Sequence, residues 1–193
     1  MNLDELARLV EFKRAPAPLL ALQAFVNTLD VESGTDLLAS PAEFRRWLRH
    51  TELESPRMRL DGDDLRRARE LRDTFRALLA ANAHGEVDRR AASRLRSQLS
   101  ARRIPLSVDP GGRLELDLSS AHSVDEFLAL LIGIAFQAQV DGQWERLKLC
   151  NNDECQWAFF DSSRNRGGAW CQMEVCGNRI KNRHYRQRHR ARS

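Results

Sequence analysis

Cys150, Cys155, Cys171 and Cys176 follow the pattern C-x4-C-x15-C-x4-C, and they are all the cysteines the chain has. Thiolates are the preferred ligands of a structural zinc ion, and two close pairs separated by a hairpin-length loop match a closed tetrahedral site. Two disulfides would also use four cysteines, but in a reducing compartment paired cysteines more often hold metal. The fourth cysteine opens a basic run, and no acidic residue follows Glu174. A helix over residues 178–190 would place Arg179, Asn182, Arg183, Arg186 and Arg190 at i, i+3, i+4, i+7 and i+11, one stripe of one face, with Lys181 adding charge. Guanidinium groups suit phosphates and guanine edges, and an asparagine amide suits adenine. The plainer alternative is a solvated, highly charged helix. Ile180, His184 and Gln187 on its other side would lean on the metal core.

Little else in the chain has the types and spacing of reactive groups. His184 and His189 are not needed as ligands once four cysteines close the site, and His50, His84 and His122 are isolated. The sequence contains no phosphate-binding glycine loop, no H-E-x-x-H and no G-x-S-x-G, and no carboxylate pair has a setting for acid–base work, so no catalytic residue is assigned. Asn27 and Thr28 are the polar residues to watch for a ligand pocket. The competing role for them is to satisfy backbone groups at a helix end.

The metal ligands need elements to hold them. About fifty residues cannot readily bury enough surface to stay folded alone, and structural zinc supplies roughly 10–16 kcal/mol of apparent free energy in small fingers. The spacing predicts a knuckle at Cys150–Cys155, a strand over 156–160, a polar turn at 162–168, a return strand at 169–171 and then the helix, a treble-clef-like order. Trp144, Trp157, Phe159, Phe160, Trp170 and Tyr185 form a packing shell for the metal, with base stacking as the alternative. Residues 144–193 carry 11 Lys/Arg and 5 Asp/Glu, whereas the remainder carries 20 and 22, so the positive field sits on the tail.

Upstream, the periodicity is helical. Residues 15–30 read as a proline-started helix with Leu19, Leu22, Phe25, Val26 and Leu29 on one face. Ser40-Pro41-Ala42-Glu43 and Ser123-Val124-Asp125-Glu126 are capping boxes for helices through Trp47 and to about Val140. Asp61 to Asp64 caps a long helix to about Asn82, Gly85 breaks it, and an amphipathic helix spans 88–100. Period-two segments at Ile104–Val108 and Leu114–Leu118 flank Asp109-Pro110-Gly111-Gly112 as a β-hairpin. The expected fold is mainly α with one hairpin, an α+β N-terminal domain over residues 1–141, plus a four-cysteine zinc module over 142–193. The N-terminal domain is expected to fold by itself. No segment reads as a signal peptide or a bilayer span, which suggests a cytoplasmic protein.

The tail resembles the CGNR zinc finger through Cys176-Gly177-Asn178-Arg179, supported by Arg146-Leu147-Lys148-Leu149-Cys150, Cys155-Gln156-Trp157-Ala158-Phe159-Phe160-Asp161, Ser163-Arg164-Asn165 and Trp170-Cys171. The N-terminal part is similar to the ABATE domain through Phe25-Val26-Asn27-Thr28-Leu29, Asp36-Leu37-Leu38 and Trp47. The resemblance implies a bacterial, stress-responsive transcription regulator with one structural Zn2+ and a DNA-contacting end in which Arg179 is a candidate contact. An unknown small-molecule effector or protein partner would act at the N-terminal domain. The chain departs from the family at Gly167-Gly168-Ala169, where basic residues are common, which leaves Arg164 and Arg166 as the nearest cations. The rival readings are a protein-interaction module with a purely structural finger, and an RNA-binding protein.

Overall fold

A computed structural model describes residues 3–51, 58–86, 88–118 and 121–190. Its helices are α1 (Leu3–Leu9), α2 (Leu19–Val26), α3 (Pro41–His50), α4 (Gly62–His84), α5 (Arg89–Ser100), α6 (Val124–Val140) and α7 (Asn178–Arg190). Three antiparallel strand pairs complete it: β1 (Leu29–Asp30) with β2 (Thr35–Asp36), β3 (Leu106–Val108) with β4 (Leu114–Leu116), and β5 (Leu147–Leu149) with β6 (Ala158–Phe160). The mainly helical class with the Asp-Pro-Gly-Gly hairpin is as expected, while α1 and the β1–β2 pair carry no strong periodic signal.

Side-chain caps set most helix starts. Ser40 Oγ accepts from the Glu43 amide at the head of α3, and Asp88 and Ser123 do the same for α5 and α6. At α4, Asp61 and Asp64 each accept the other's backbone N–H, a reciprocal box made with aspartate. The expected box at Ser123 is only half made, because the Glu126 carboxylate accepts from His122 instead, at 2.7 Å. Likewise α2 is shorter than the 15–30 reading. Its last carbonyls are taken by the Asn27 and Thr28 amides, and the chain turns directly into β1.

All eight residues of α2 are buried, so it is the central helix, and Gln23 is its one polar residue. Phe25, Phe44, Trp47 and Phe127 meet around it with ring centroids 5.7–6.2 Å apart. Burying one such ring contributes about 1.5–3 kcal/mol.

The core does not stop at residues 141–142. Leu147, Leu149, Ala158 and Phe160 belong to the same cluster as α2, α4 and α6, with the β5–β6 hairpin lying on α4. Asn82 Nδ2 donates to the carbonyls of Trp144 and Leu147, fixing the turn that leads into β5. Two of the aromatic residues expected around the metal are therefore elsewhere: Trp144 packs on Phe75 at 6.3 Å, and Phe160 lies in the main core. Among the described residues no helix is long and apolar enough to cross a membrane.

Candidate metal centre and nucleic-acid interface

The first cysteine pair sits at the tip of the β5–β6 hairpin. Cys150 N–H donates to Trp157 O, and the Asn152 carbonyl accepts from both Cys155 and Gln156, which closes a tight knuckle. Gln156 takes a left-handed conformation (φ 50°) to bring the chain back into β6. The strand partner of β6 is thus β5, on the near side of the knuckle, and not the 169–171 segment expected from spacing. That segment contributes one backbone–backbone bond to the hairpin, Asn151 N–H to Ala169 O.

The second pair is joined by a wide turn, Met173–Gly177, in which the Gln172 carbonyl accepts from both Cys176 and Gly177. Such a π-type turn spaces Cys171 and Cys176 onto one side and runs straight into α7. The Cys176-Gly177-Asn178-Arg179 tetrapeptide can be read physically. Cys176 offers its thiol. A Cβ at Gly177 would come within 2.4 Å of the Met173 sulfur and 2.7 Å of the Trp170 ring, so any larger residue would have to displace both side chains. Asn178 Nδ2 donates to Glu174 O and ties off the turn, and Arg179 reaches Glu32 Oε1 at 2.5 Å.

The four buried thiols lie within 4.8 Å of one another, and none is in a disulfide. Cys155–Cys171 and Cys171–Cys176 are each 3.7 Å apart. Zinc–sulfur bonds of ~2.3 Å imply tetrahedron edges of about 3.8 Å, so this donor set fits a zinc ion. Hydrogen bonds from Cys155 and Cys171, together with the Asn152 and Cys171 amides, pull the Cys150 thiol down to about 2. The thiolate at Cys150 in turn pushes Cys155 up to about 12 and raises Cys171 further. A divalent cation is what would let all four sulfurs ionise.

Cations from the rest of the chain surround this charge. Arg76 of α4, 7% exposed, donates to Val26 O, Leu29 O and both oxygens of Gln156 in the knuckle. Burial lowers its pKa, opposed in part by the nearby Cys155. Lys13 Nζ donates to Trp170 O at 2.6 Å and sits 4.8 Å over the Phe159 ring. Phe159, Trp157 and Trp170 are the aromatics that pack on the cysteines, while Tyr185 is exposed and meets His189 at 4.1 Å.

A second polar knot holds the loop between the pairs. Lys148 and Asp161, with side chains 7% and 3% exposed, pair at 2.9 Å. Asp161 also accepts from the Ser163 and Gly168 amides, while Lys148 donates to Arg166 O. Burial alone would raise the Asp161 carboxyl, but these hydrogen bonds outweigh it and hold the group below the usual carboxylate range. A Cβ at Gly168 would meet this carboxylate at 2.7 Å, so glycine here has a local cause. Arg166 pairs loosely with Glu145 at 3.8 Å.

Of the basic residues singled out by spacing, the structure gathers Arg179, Asn182, Arg183 and Arg186 around one groove of about 460 Å3, with Gln187 and Glu154. Gln187 therefore faces the groove and not the metal core. Lys181 is exposed outside that lining. The side chains of Arg190 and His184 lie outside the described residues. Arg183 Nη2 pairs with Glu154 at 2.7 Å, so the first two arginines of α7 both meet an acid of this chain.

Asn27 and Thr28 border a cleft of about 230 Å3, but their polar atoms face protein. Asn27 exchanges two hydrogen bonds with Ala158, and Thr28 Oγ1 donates to Phe25 O and accepts from Arg72. Arg72 is bidentate on Asp36 and ties β2 to α4. Gln23, fully buried, adds a further bond to Ala158 O. Gln23, Arg76, Lys148, Asp161, Glu32 and Glu154 were not found from sequence. The signal in the sequence is a polar residue inside an apolar stretch for Gln23, Lys148 and Asp161, the last two also lying within the segments that resemble the CGNR finger.

Comparisons with known proteins agree with this geometry. Residues 20–139 match the family model of ABATE, described as "Putative stress-induced transcription regulator", and residues 146–189 match that of the CGNR zinc finger. A comparison with curated proteins returns no match.

Proposed function

The chain belongs to the ABATE family and carries a CGNR zinc finger behind that domain, and on this premise we propose that it is a zinc-dependent, DNA-binding transcriptional regulator of the bacterial cytoplasm. It is read as a binding protein, not an enzyme. Cys150, Cys155, Cys171 and Cys176 hold the metal, which supplies a structural cross-link with no open coordination position. Because α7 starts two residues after Cys176, the ligand set fixes the direction of its basic face. The observation that carries the reading is the groove lined by Arg179, Asn182, Arg183 and Arg186 on that helix. Its charge complements a phosphate backbone, and Asn182 with Arg179 at the anchored end suits base edges.

The N-terminal part acts on the finger through the bonds that join them. A ligand or partner that shifts α2 moves Asn27 and Gln23 against Ala158, and one that shifts α4 moves Arg76 against Gln156. The β1–β2 turn carries Glu32 to Arg179.

Fluorescence anisotropy with the zinc-loaded chain and labelled duplex DNA tests the proposal. With four to five phosphate contacts, log K should fall with log salt at a slope of about −4. The protein-interaction reading draws its support from the Arg179–Glu32 and Arg183–Glu154 pairs, which show that carboxylates fit this face. Duplex binding that is undetectable at low salt would favour it, and a preference for single-stranded RNA over duplex would favour RNA.

A further inference from the structure

We infer that Asn152 is a positioning residue of the metal centre: its side-chain N–H donates to the Cys176 sulfur, from one cysteine pair to the other, and this bond sets how tightly zinc is held. The inference rests on the zinc reading above and not on DNA binding. Asn152 stands in the first knuckle, between Cys150 and Cys155, and is fully buried. Its Nδ2 lies 3.7 Å from Cys176 Sγ, within reach of an N–H···S bond. Among the described residues it is the one side chain other than cysteine that meets a ligand sulfur in this way.

The orientation of the amide is fixed by its other end. Oδ1 accepts from the Glu154 N–H at 3.4 Å, so a reversed amide would set its oxygen against the sulfur and its NH2 against an N–H. The backbone of Asn152 serves the first pair as well. Its carbonyl accepts from Cys155 N–H, and its own N–H reaches the Cys150 sulfur. One residue thus touches three of the four ligands, and the third of them, Cys176, is the one from which the chain enters α7.

The donor's chemistry selects the state of the sulfur that it serves. A neutral thiol is a weak acceptor, whereas a thiolate accepts a charge-assisted bond. Four thiolates around one divalent cation keep a net negative charge, and an N–H aimed at a sulfur from a buried position offsets part of it. Groups that hydrogen-bond to metal ligands typically govern metal affinity by about 10–100-fold. The competing account is purely local: Asn152 closes the knuckle through Oδ1 and its carbonyl, and the sulfur is incidental.

Two substitutions separate the accounts, because each orders them oppositely. Asn152→Ala removes the N–H and Oδ1 together. Asn152→Asp keeps the acceptor for the Glu154 N–H, and nearly the same shape, but sets a carboxylate oxygen against the sulfur. Zinc affinity of the full chain, measured by competition with a chromophoric chelator at neutral pH, should fall about 10-fold in Asn152→Ala and about 100-fold in Asn152→Asp. The local account puts Asn152→Asp close to the wild type instead. Cobalt(II) at saturation gives a second readout with both variants in the loaded form. Losing the N–H dipole raises the sulfur lone pairs, so the sulfur-to-cobalt charge-transfer band should move to longer wavelength in both. Glu154→Ala keeps the backbone amide and loses only the Arg183 pair, and it should change neither affinity nor band. Zinc binding by Asn152→Asp as tight as or tighter than that of Asn152→Ala, or an unmoved band in both variants, overturns the inference while the zinc reading stands. A wild-type chain without a four-sulfur cobalt spectrum overturns the zinc reading and this inference together.

Discussion

Asn27 and Ala158 exchange two hydrogen bonds although 131 residues separate them: Ala158 N–H donates to Asn27 Oδ1 at 2.8 Å, and Asn27 Nδ2 donates to Ala158 O at 3.0 Å. The amide thus acts as an extra strand beside β6, and it comes from the residue that caps the central helix of the other family segment. Asn27→Ala would orphan a buried N–H and weaken the hold on a buried carbonyl that Gln23 also serves. The expected loss is about 2–4 kcal/mol, read by urea denaturation followed by both circular dichroism and tryptophan fluorescence. Asn27→Asp keeps the acceptor but turns an oxygen toward Ala158 O, so it should rescue little. A change below about 0.5 kcal/mol for both would refute this account.

Truncation tests the shared core. A fragment ending at residue 141 lacks Leu147, Leu149 and Phe160 and leaves the face of α4 that they cover in water. It is expected to aggregate or to melt well below the full chain. A soluble fragment 1–141 with the full chain's melting temperature would show that the hairpin merely rests on α4. Limited proteolysis of the intact chain should, for the same reason, spare the 141–147 connection.

How much of this was legible beforehand follows from how far apart the partners sit. The helix starts at Ser40, Asp61, Asp88 and Ser123 are local, and one residue reads its neighbour three positions on. The cysteine pairs are legible for the same reason, since a knuckle and a wide turn each span only five residues. Asn27–Ala158, Arg76–Gln156 and Arg179–Glu32 join elements from opposite ends of the chain, and no spacing rule reports them. Nearness in sequence places Trp144 at the metal, whereas its ring turns back onto Phe75. The β1–β2 pair, two residues per strand, is too short to show an alternation.

Metal content should be one zinc per chain by elemental analysis. Cys176→Ser removes the ligand that joins the wide turn to α7 and should abolish tight binding. Because β5 and β6 are part of the main core, chelation should lower the melting temperature of the whole chain in a single transition. Two separate transitions, or a chelated protein that melts at the native temperature, would contradict this.

Asp161 should contribute to the acid sensitivity of the fold. Its folded pKa lies below the ordinary carboxylate value near ~3.9, so its contribution is complete above that pH and disappears as pH falls through the lower folded value. Asp161→Asn removes this dependence and leaves the buried Lys148 ammonium without its anion, at a cost of about 3–5 kcal/mol near neutral pH. The variant's stability should therefore change less between pH 5 and pH 2 than that of the wild type. Equal acid slopes in the two proteins would rule Asp161 out.

On the basic face, Glu32→Gln releases Arg179 without removing it. Duplex binding should tighten a few-fold, and the salt slope should steepen by about 1. Arg186→Ala should weaken all sequences alike, while Asn182→Ala should relax preference at one base position by about 1–3 kcal/mol. Unchanged slopes in Glu32→Gln would mean that the ion pair persists on DNA.

The wide turn between Cys171 and Cys176 sets the phase of α7 as well as its position. Each helical residue advances the azimuth by about 100°, so one alanine inserted after Gly177 would keep every ligand, every cation and the net charge, yet rotate the arginine stripe more than a quarter of the way around the helix. Arg179 and Arg183 would then point away from Glu32 and Glu154. A cysteine substitution and this insertion thus fail differently. The first lets the helix swing, and the second leaves it rigid but turned to a new heading.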